Sequence, residues 1–301
     1  MRYLMPYNYL LAIAEAGSIR KASEVLAITP SALNRRLLSI EEELGVPLFE
    51  RLPEGVRPST AGEIFLQHVR EQISEMDRVQ SRIADLSGMR LGRVSIAVSH
   101  EASGPFLSDQ VATYRANFPA VTFDVRLCSR QKATDALLGY HVDIALLFEP
   151  KKIADFQIAF SVKQPFRALA GSSHSLIGTK PVRLYELADY PLLLPPKHSA
   201  VNQMVKAAAL KQGINIKPAI EADSPWSFHS LVSDQDHVAV ELALNSVSRS
   251  DKQDLQSIAI DERDLPSGFL FVGFLKSRTL PVASARFLEQ LVEALAADGK
   301  D

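Results

Sequence analysis

The chain of 301 residues has a single cysteine, Cys128. That excludes an internal disulfide and a multi-cysteine zinc site, and a reducing, cytoplasmic setting is the simplest expectation. No apolar run approaches the ~18 residues of a membrane-spanning helix, so no membrane partner is expected. The short apolar stretch at the N-terminus breaks at Glu15 and has helical periodicity, unlike the continuous core of a signal peptide. An excess of one charge is also lacking. The net charge is −2, and residues 1–60 hold seven Arg or Lys against seven Glu. Bulk electrostatics therefore give no support for a nucleic-acid partner, and any such case rests on where the charges sit. The seven histidines are scattered without metal-ligand spacing, and no G-x-S-x-G, P-loop or G-x-G-x-x-G is present. Nothing marks an enzyme, and no metal or cofactor is expected. What is present is ordinary for a soluble globular chain of about two domains: 47% hydrophobic and 23% charged residues.

Tyr7, Leu10, Leu11 and Ala14 recur at helical spacing and predict a first helix, which Gly17 ends. Ser18 is suited to N-cap a second helix with Ile19, Ala22 and Leu26 inward. Thr29-Pro30 is a strong start signal for a third, because Thr caps well and Pro at the first helical position forfeits no hydrogen bond. That helix runs to Gly45 with Leu33, Leu37, Ile40 and Leu44 inward, leaving Ser31, Asn34 and Arg35 on the opposite face. A helix-turn-helix places such N-terminal residues against base edges in the major groove, where Asn and Arg can bond bidentately. By periodicity alone, a plain helical bundle with a polar face fits equally well. The next segment, VPLFERLPEGVRPSTAG, holds short β-prone pieces around a turn and reads as a wing, with Arg51 and Arg57 flanking the turn as phosphate contacts or solvated loop charges.

The stretch AEAGSIRKASEVLAITPSALNRRLLSIEEELGVPLFER, with GVRPSTAGE closing it, resembles the N-terminal domain of LysR-type transcriptional regulators. The resemblance implies a winged helix-turn-helix over residues 1–60. The expected DNA-contacting set is Ser18, Thr29, Pro30, Ser31, Asn34, Arg35, Arg36, Arg51 and Arg57. Two positions depart from the family: Pro30 stands where Gln is frequent, and Asn34 where Ser is frequent. A base contact from position 30 is therefore lost, and Asn34 is placed to supply another.

Thr60-Ala61-Gly62-Glu63 fits a capping box. Leu66, Val69, Ile73, Met76, Val79, Ile83 and Leu86 follow at spacings of three and four, a heptad stripe continuing to about residue 87. Such a helix is ~42 Å long at 1.5 Å per residue, more than the first domain can cover. It packs either on its own chain or on a second copy. The preferred expectation is a linker and dimerisation helix at 61–90, carried by Val69, Ile73, Met76, Val79 and Ile83. The resemblance implies the same, with a homodimer or homotetramer as the assembly.

From Gly92 the pattern changes to strands alternating with helices. Strands are read at 93–98, 122–127, 143–148, 191–195, 217–222, 237–242 and 269–275. Helices are read at 106–117, 130–139, 200–212, near 225–233 and at 281–297. Alternation of this kind predicts parallel α/β units. NFPAVTFDVRLCSRQKATDALLGYHVDIALLF resembles the effector-binding domain of the same regulators, with Asp143 at the matching place. That implies the two-lobed α/β fold of type-2 periplasmic binding proteins over 91–301, lobe one at about 91–162 and 269–301, lobe two at about 163–268.

Ligands of α/β lobes bind beyond the carboxyl ends of strands and at helix N-termini. The candidate effector-binding residues are Ser99, His100, Glu101, Ser103, Ser129, Arg130, Phe148, Ser199, Asn202 and Trp226. Ser99, Ser129 and Ser199 fit helix caps equally well, the His100-Glu101 pair fits a solvated loop, and Trp226 fits a core. VSDQDHVAV lacks the glycines usual before this strand, and Glu101 and Glu149 fall among pocket positions, which weighs against a simple carboxylate effector. Together these readings predict a regulator whose operator binding is switched by a small molecule, with double-stranded DNA, the effector, a second copy of the chain and RNA polymerase as partners. The alternative is a solute-binding or sensory module of a transport system, which the N-terminal segment opposes.

Overall fold

The computed structural model describes residues 5–86, 91–150, 155–178, 181–222, 231–232, 236–245, 255–276 and 278–298. It divides into two compact units, 1–80 and 81–301.

The first unit is built from α1 (Met5–Ala16), α2 (Ile19–Val25), α3 (Pro30–Leu44), the hairpin strands β1 (Phe49–Leu52) and β2 (Gly55–Pro58), and the start of α4 (Thr60–Leu86). The punctuation works as its chemistry dictates. Gly17 and Gly45 take left-handed backbone after α1 and α3. The Ala32 amide donates to Thr29 Oγ1 at 3.3 Å with Pro30 at the first helical position. Leu10, Ile13, Ala22, Leu33, Leu37, Leu48 and Leu66 close the core. The inward stripe of α1 is rotated from the expected one: Tyr9, Leu10 and Ile13 are buried, while Tyr7, Leu11 and Ala14 are only half-buried. In α3, Leu44 is exposed rather than inward.

The cap of α4 falls one residue earlier than expected. Ser59 Oγ accepts the Gly62 amide at 3.0 Å and donates to Pro47 O at 2.7 Å, so Ser59, not Thr60, anchors the helix start. Gly62 is required there, because a Cβ would lie 1.9 Å from Leu48 O. Along α4, Val69 is completely buried and so offers nothing to a second copy, which corrects its assignment to a dimer face. Ile73, Met76 and Val79 are half-buried and Ile83 is exposed.

The second unit holds two five-stranded sheets. Its elements are β3 (Gly92–Ser99), α5 (Pro105–Asn117), β4 (Val121–Cys128), α6 (Arg130–Leu138), β5 (Ile144–Phe148), β6 (Phe156–Gln164), β7 (Phe166–Gly171), α7 (Leu184–Leu187), β8 (Leu192–Leu194), α8 (Ala200–Lys211), β9 (Pro218–Glu221), β10 (Val238–Leu242), β11 (Leu255–Ala259), β12 (Gly268–Leu275) and α9 (Val282–Asp298). The first sheet runs β4-β3-β5-β12-β6 and the second β11-β7-β10-β8-β9. The parallel units expected from sequence are present, β3 with β4 and β5 and β8 with β9 and β10, though neither sheet is all parallel. β12 is antiparallel to β5 and β6, and β7 is antiparallel to β10 and β11. β6 ends and β7 begins around Pro165, whose carbonyl takes the Ala243 amide at 2.9 Å, while Gln164 Oε1 takes the Leu244 amide at 2.9 Å. The chain thus passes from the first sheet to the second at Pro165 and returns before β12. The helix expected near 225–233 falls largely outside the described residues.

Asp143 knits the first sheet to the last helix. Its carboxylate accepts from Ser95 Oγ and Ser284 Oγ, each at 2.8 Å, and pairs with Arg278, which also donates to Val142 O at 2.7 Å. A second buried carboxyl lies in the other sheet. Glu241, on β10, is 7% exposed and its Oε1 has no hydrogen-bond partner. Burial pushes its pKa well above the ordinary value, with Arg167 pulling only partly the other way. A raised carboxyl pKa stabilises the fold fully below the unfolded value of about 4.5, and the contribution is lost as pH rises toward the folded value. Glu241→Gln is therefore expected to leave the melting temperature nearly unchanged at pH 4 and to raise it progressively above pH 5. The slope difference is at most about 1.4 kcal/mol per pH unit. Melts across pH 4–8 that run parallel for the two proteins would contradict this.

Candidate nucleic-acid interface and effector site

The Thr29 cap and Pro30 point α3 so that Thr29, Pro30, Ser31 and Arg35 are exposed and Asn34 is half-buried. Thr29 Oγ1 and Ser31 Oγ lie 3.3 Å apart, one hydroxyl holding the other. Asn34 is tied to the hairpin: Arg51 Nη2 donates to Asn34 Oδ1 at 2.9 Å. Two residues of the expected DNA-contacting set are thereby brought together across seventeen positions of sequence. Others have different neighbours. Arg36, exposed on α3, lays its guanidinium over the Tyr9 ring at 4.8 Å, a cation–π contact within the unit. Arg57 pairs with Glu50, its cross-strand neighbour, at 2.7 Å. Ser18 caps α2 through the Lys21 amide at 3.5 Å. The hairpin has a two-residue loop, Pro53-Glu54, between paired Leu52 and Gly55. Val56 donates to Gly17 O at 2.9 Å, and a Cβ on Gly55 would lie 2.2 Å from the same oxygen, so the wing sits tightly against the α1–α2 turn. Glu41, toward the C-terminal end of α3, has a structural role: its Oε1 takes the amides of Leu48 and Phe49 at 2.7 and 3.1 Å and fixes the entry to β1.

In the second unit the candidate effector residues divide. Ser99 stands at the N-cap position of the turn 100–102, but its side chain does not cap it. Its Oγ accepts the Phe148 amide at 3.1 Å, joining β3 to β5. Phe148 is fully buried, edge-on to Phe166 at 6.0 Å, with its ring filling the space above Gly268. It is a core residue and lines no open site, which corrects its assignment to the ligand set. Ser103 Oγ donates to His100 O at 2.8 Å. Ser129 caps α6 through the Lys132 amide at 3.5 Å, and Arg130 opens that helix. Trp226 lies outside the described residues.

The remaining candidates converge at the start of α8. Ser199 Oγ accepts the Asn202 amide at 3.1 Å, and Asn202, completely buried, donates to Pro195 O at 2.7 Å while its Oδ1 has no partner. Glu101, in the short turn 100–102 after β3, is 8% exposed, and its Oε1 accepts the Ala200 amide at 2.8 Å. The carboxylate of one sheet's loop thus sits on the N-terminus of a helix packed on the other sheet. Free N–H groups and the helix dipole favour an anion at that place. Beside it the rings of His100 and His198 meet edge-on at 6.2 Å. Glu149 does something different: at φ 44° it turns the chain, and its Oε1 takes the Phe269 amide at 2.7 Å. No group of three or more His, Cys, Asp or Glu among the described residues could hold a metal ion.

A capped recognition helix beside a wing, continued by two mixed sheets joined by two crossings, defines a DNA-binding regulator with a ligand-binding module. Residues 6–63 match the family described as bacterial regulatory helix-turn-helix protein, lysR family, and residues 87–296 match the LysR substrate binding domain. The chain belongs to the LysR family of transcriptional regulators. It is 24% identical to the HTH-type transcriptional activator CmpR of Synechocystis over 221 residues, 73% of this chain and 72% of that one. The fold is that of full-length CbnR crystallised with its target DNA, with TM-score 0.54 and 20% identity over 97% of this chain and 99% of that one. It is also that of a full-length cysteine-to-aspartate variant of OxyR from Pseudomonas aeruginosa, with TM-score 0.66 and 17% identity over 97% and 94%. The family and these relatives are regulators, not enzymes. Among the described residues no helix is long and apolar enough to cross a membrane.

Proposed function

We propose that residues 1–60 read an operator, residues 61–90 pair with a second copy, and residues 91–301 hold a small-molecule effector between a lobe at about 91–162 with 269–301 and a lobe at about 163–268, in the cytoplasm. Ser31, Asn34 and Arg35 face the bases, with Ser18, Thr29 and Arg57 near the phosphates. The observation that carries the switch is the Glu101 carboxylate on the Ala200 amide. It joins the two sheets and occupies the position where a ligand anion would sit, so an effector that exchanges with Glu101 changes how the sheets are held. An effector acts only through its different affinity for the two arrangements. The change moves the recognition helices and alters DNA bending or the contact with RNA polymerase.

The exchange is tested by thermal shift on the full chain with sulfate, succinate and citrate, comparing wild type with Glu101→Ala. A ligand at a hundred times its Kd stabilises by about 2.7 kcal/mol. The variant, with its seat vacated, is expected to respond to lower anion concentrations than wild type. Equal or weaker responses in the variant would contradict the exchange. Pairing through α4 is tested separately: Ile73→Asp or Met76→Asp buries a carboxylate in the apolar seam and is expected to dissociate the assembly. A sedimentation profile unchanged from wild type would count against it.

A further inference from the structure

We propose that Arg51 is a positioning residue that fixes the base read by Asn34, a role distinct from a phosphate contact. The inference rests on the operator-reading role of α3 given above. Arg51 comes from the hairpin and Asn34 from the recognition helix, and their bond, Nη2 to Oδ1 at 2.9 Å, ties the wing to that helix side chain to side chain. A guanidinium carries donors and no acceptor. The amide atom facing it is therefore the oxygen, whichever way an Asn amide is first assigned. An unrestrained Asn can turn its amide and offer a base either a donor or an acceptor. Bonded to Arg51, it is held with its oxygen toward the hairpin and its N–H groups left for a further partner. In the major groove those donors match a base edge that carries acceptors, guanine above all, which presents O6 and N7 together. The neighbouring arginine on the hairpin differs. Arg57 is engaged with Glu50 on the hairpin itself.

The two roles for Arg51 leave different signatures. A phosphate contact adds affinity for every sequence alike and steepens the salt dependence, whereas positioning alters preference at one base pair. The experiment is selection of full-length wild type, Arg51→Ala, Arg51→Lys and Asn34→Ala on a library of randomised duplexes at fixed salt. Titrations of the enriched sequences against single-base variants follow. Wild type is expected to enrich a G·C pair at one position of each half-site. Arg51→Ala is expected to lose preference at that position by about fivefold or more, leaving the other positions as they were. Asn34→Ala loses preference at the same position, and Arg51→Lys, which restores a donor to Oδ1, recovers part of it. Uniformly weaker binding by Arg51→Ala with an unchanged base profile would overturn the inference, as would a wild-type preference for an A·T pair there. If wild type enriches no sequence, every arm is flat and the operator-reading role fails first, an outcome distinguishable from failure of the Arg51 role alone.

Discussion

Arg278→Ala is expected to destabilise the second unit by about 3–5 kcal/mol. The guanidinium and the Asp143 carboxylate are both nearly sealed from water, with side chains 7% and 6% exposed. Removing the arginine leaves a buried carboxylate whose remaining partners are the hydroxyls of Ser95 and Ser284 and the Ser95 amide. None of these neutralises its charge. The cost is that of an uncompensated ion in a low-dielectric interior, more than the net worth of the pair. For that reason the double variant Asp143→Asn/Arg278→Met, which removes both charges, is expected to be more stable than Arg278→Ala. Denaturant unfolding of the three proteins measures this. A loss under about 1 kcal/mol for Arg278→Ala would show that water or rearrangement relieves the charge.

Arg35→Ala is expected to remove operator binding while leaving the fold and assembly intact. Arg35 is exposed on α3, on the same face as Ser31 and Asn34, so its loss opens no cavity. A bidentate base contact is worth about 1–3 kcal/mol, and a two-fold dimer loses it twice. The combined loss of about 2–6 kcal/mol corresponds to roughly 30-fold to 10⁴-fold in affinity. Unchanged gel-shift affinity would show that the base-reading surface lies elsewhere. Unchanged affinity together with a changed melting temperature would show that Arg35 acts within the fold.

The parts legible in the sequence are those governed by local chemistry. Thr29-Pro30, Gly17 and Gly45 mark helix ends by backbone preference alone, and the structure places all three as that preference requires. Differences arise where two neighbouring residues have the same chemistry. Ser59 and Thr60 cap equally well on paper, and Ser59 wins because its hydroxyl also reaches Pro47 O. The rotated stripe of α1 has the same origin, since a dense apolar run tolerates a one-residue turn about the helix axis. Strand direction in the sheets is not legible either. A buried strand reads as an apolar run whichever way it points, so the antiparallel placement of β7 and β12 is decided by tertiary packing. β6, β7 and β11 are strands that the sequence reading does not anticipate. The contacts on which the functional reading depends, Glu101 to Ala200 and Arg51 to Asn34, join residues 99 and 17 positions apart. The sequence marks Glu101 as an unexpected acid among pocket positions and Asn34 as a departure from the family. It contains no signal for what either one touches.

As proposed, a two-fold assembly of this chain reads two copies of one site. A hydroxyl-radical footprint of the full-length protein on a duplex enriched by selection measures this. The expected result is two protected half-sites related by a dyad, centred one helical turn or a whole multiple of about 10–10.5 base pairs apart, both lost together in Arg35→Ala. A single protected site, or half-sites without dyad symmetry or whole-turn spacing, would contradict it.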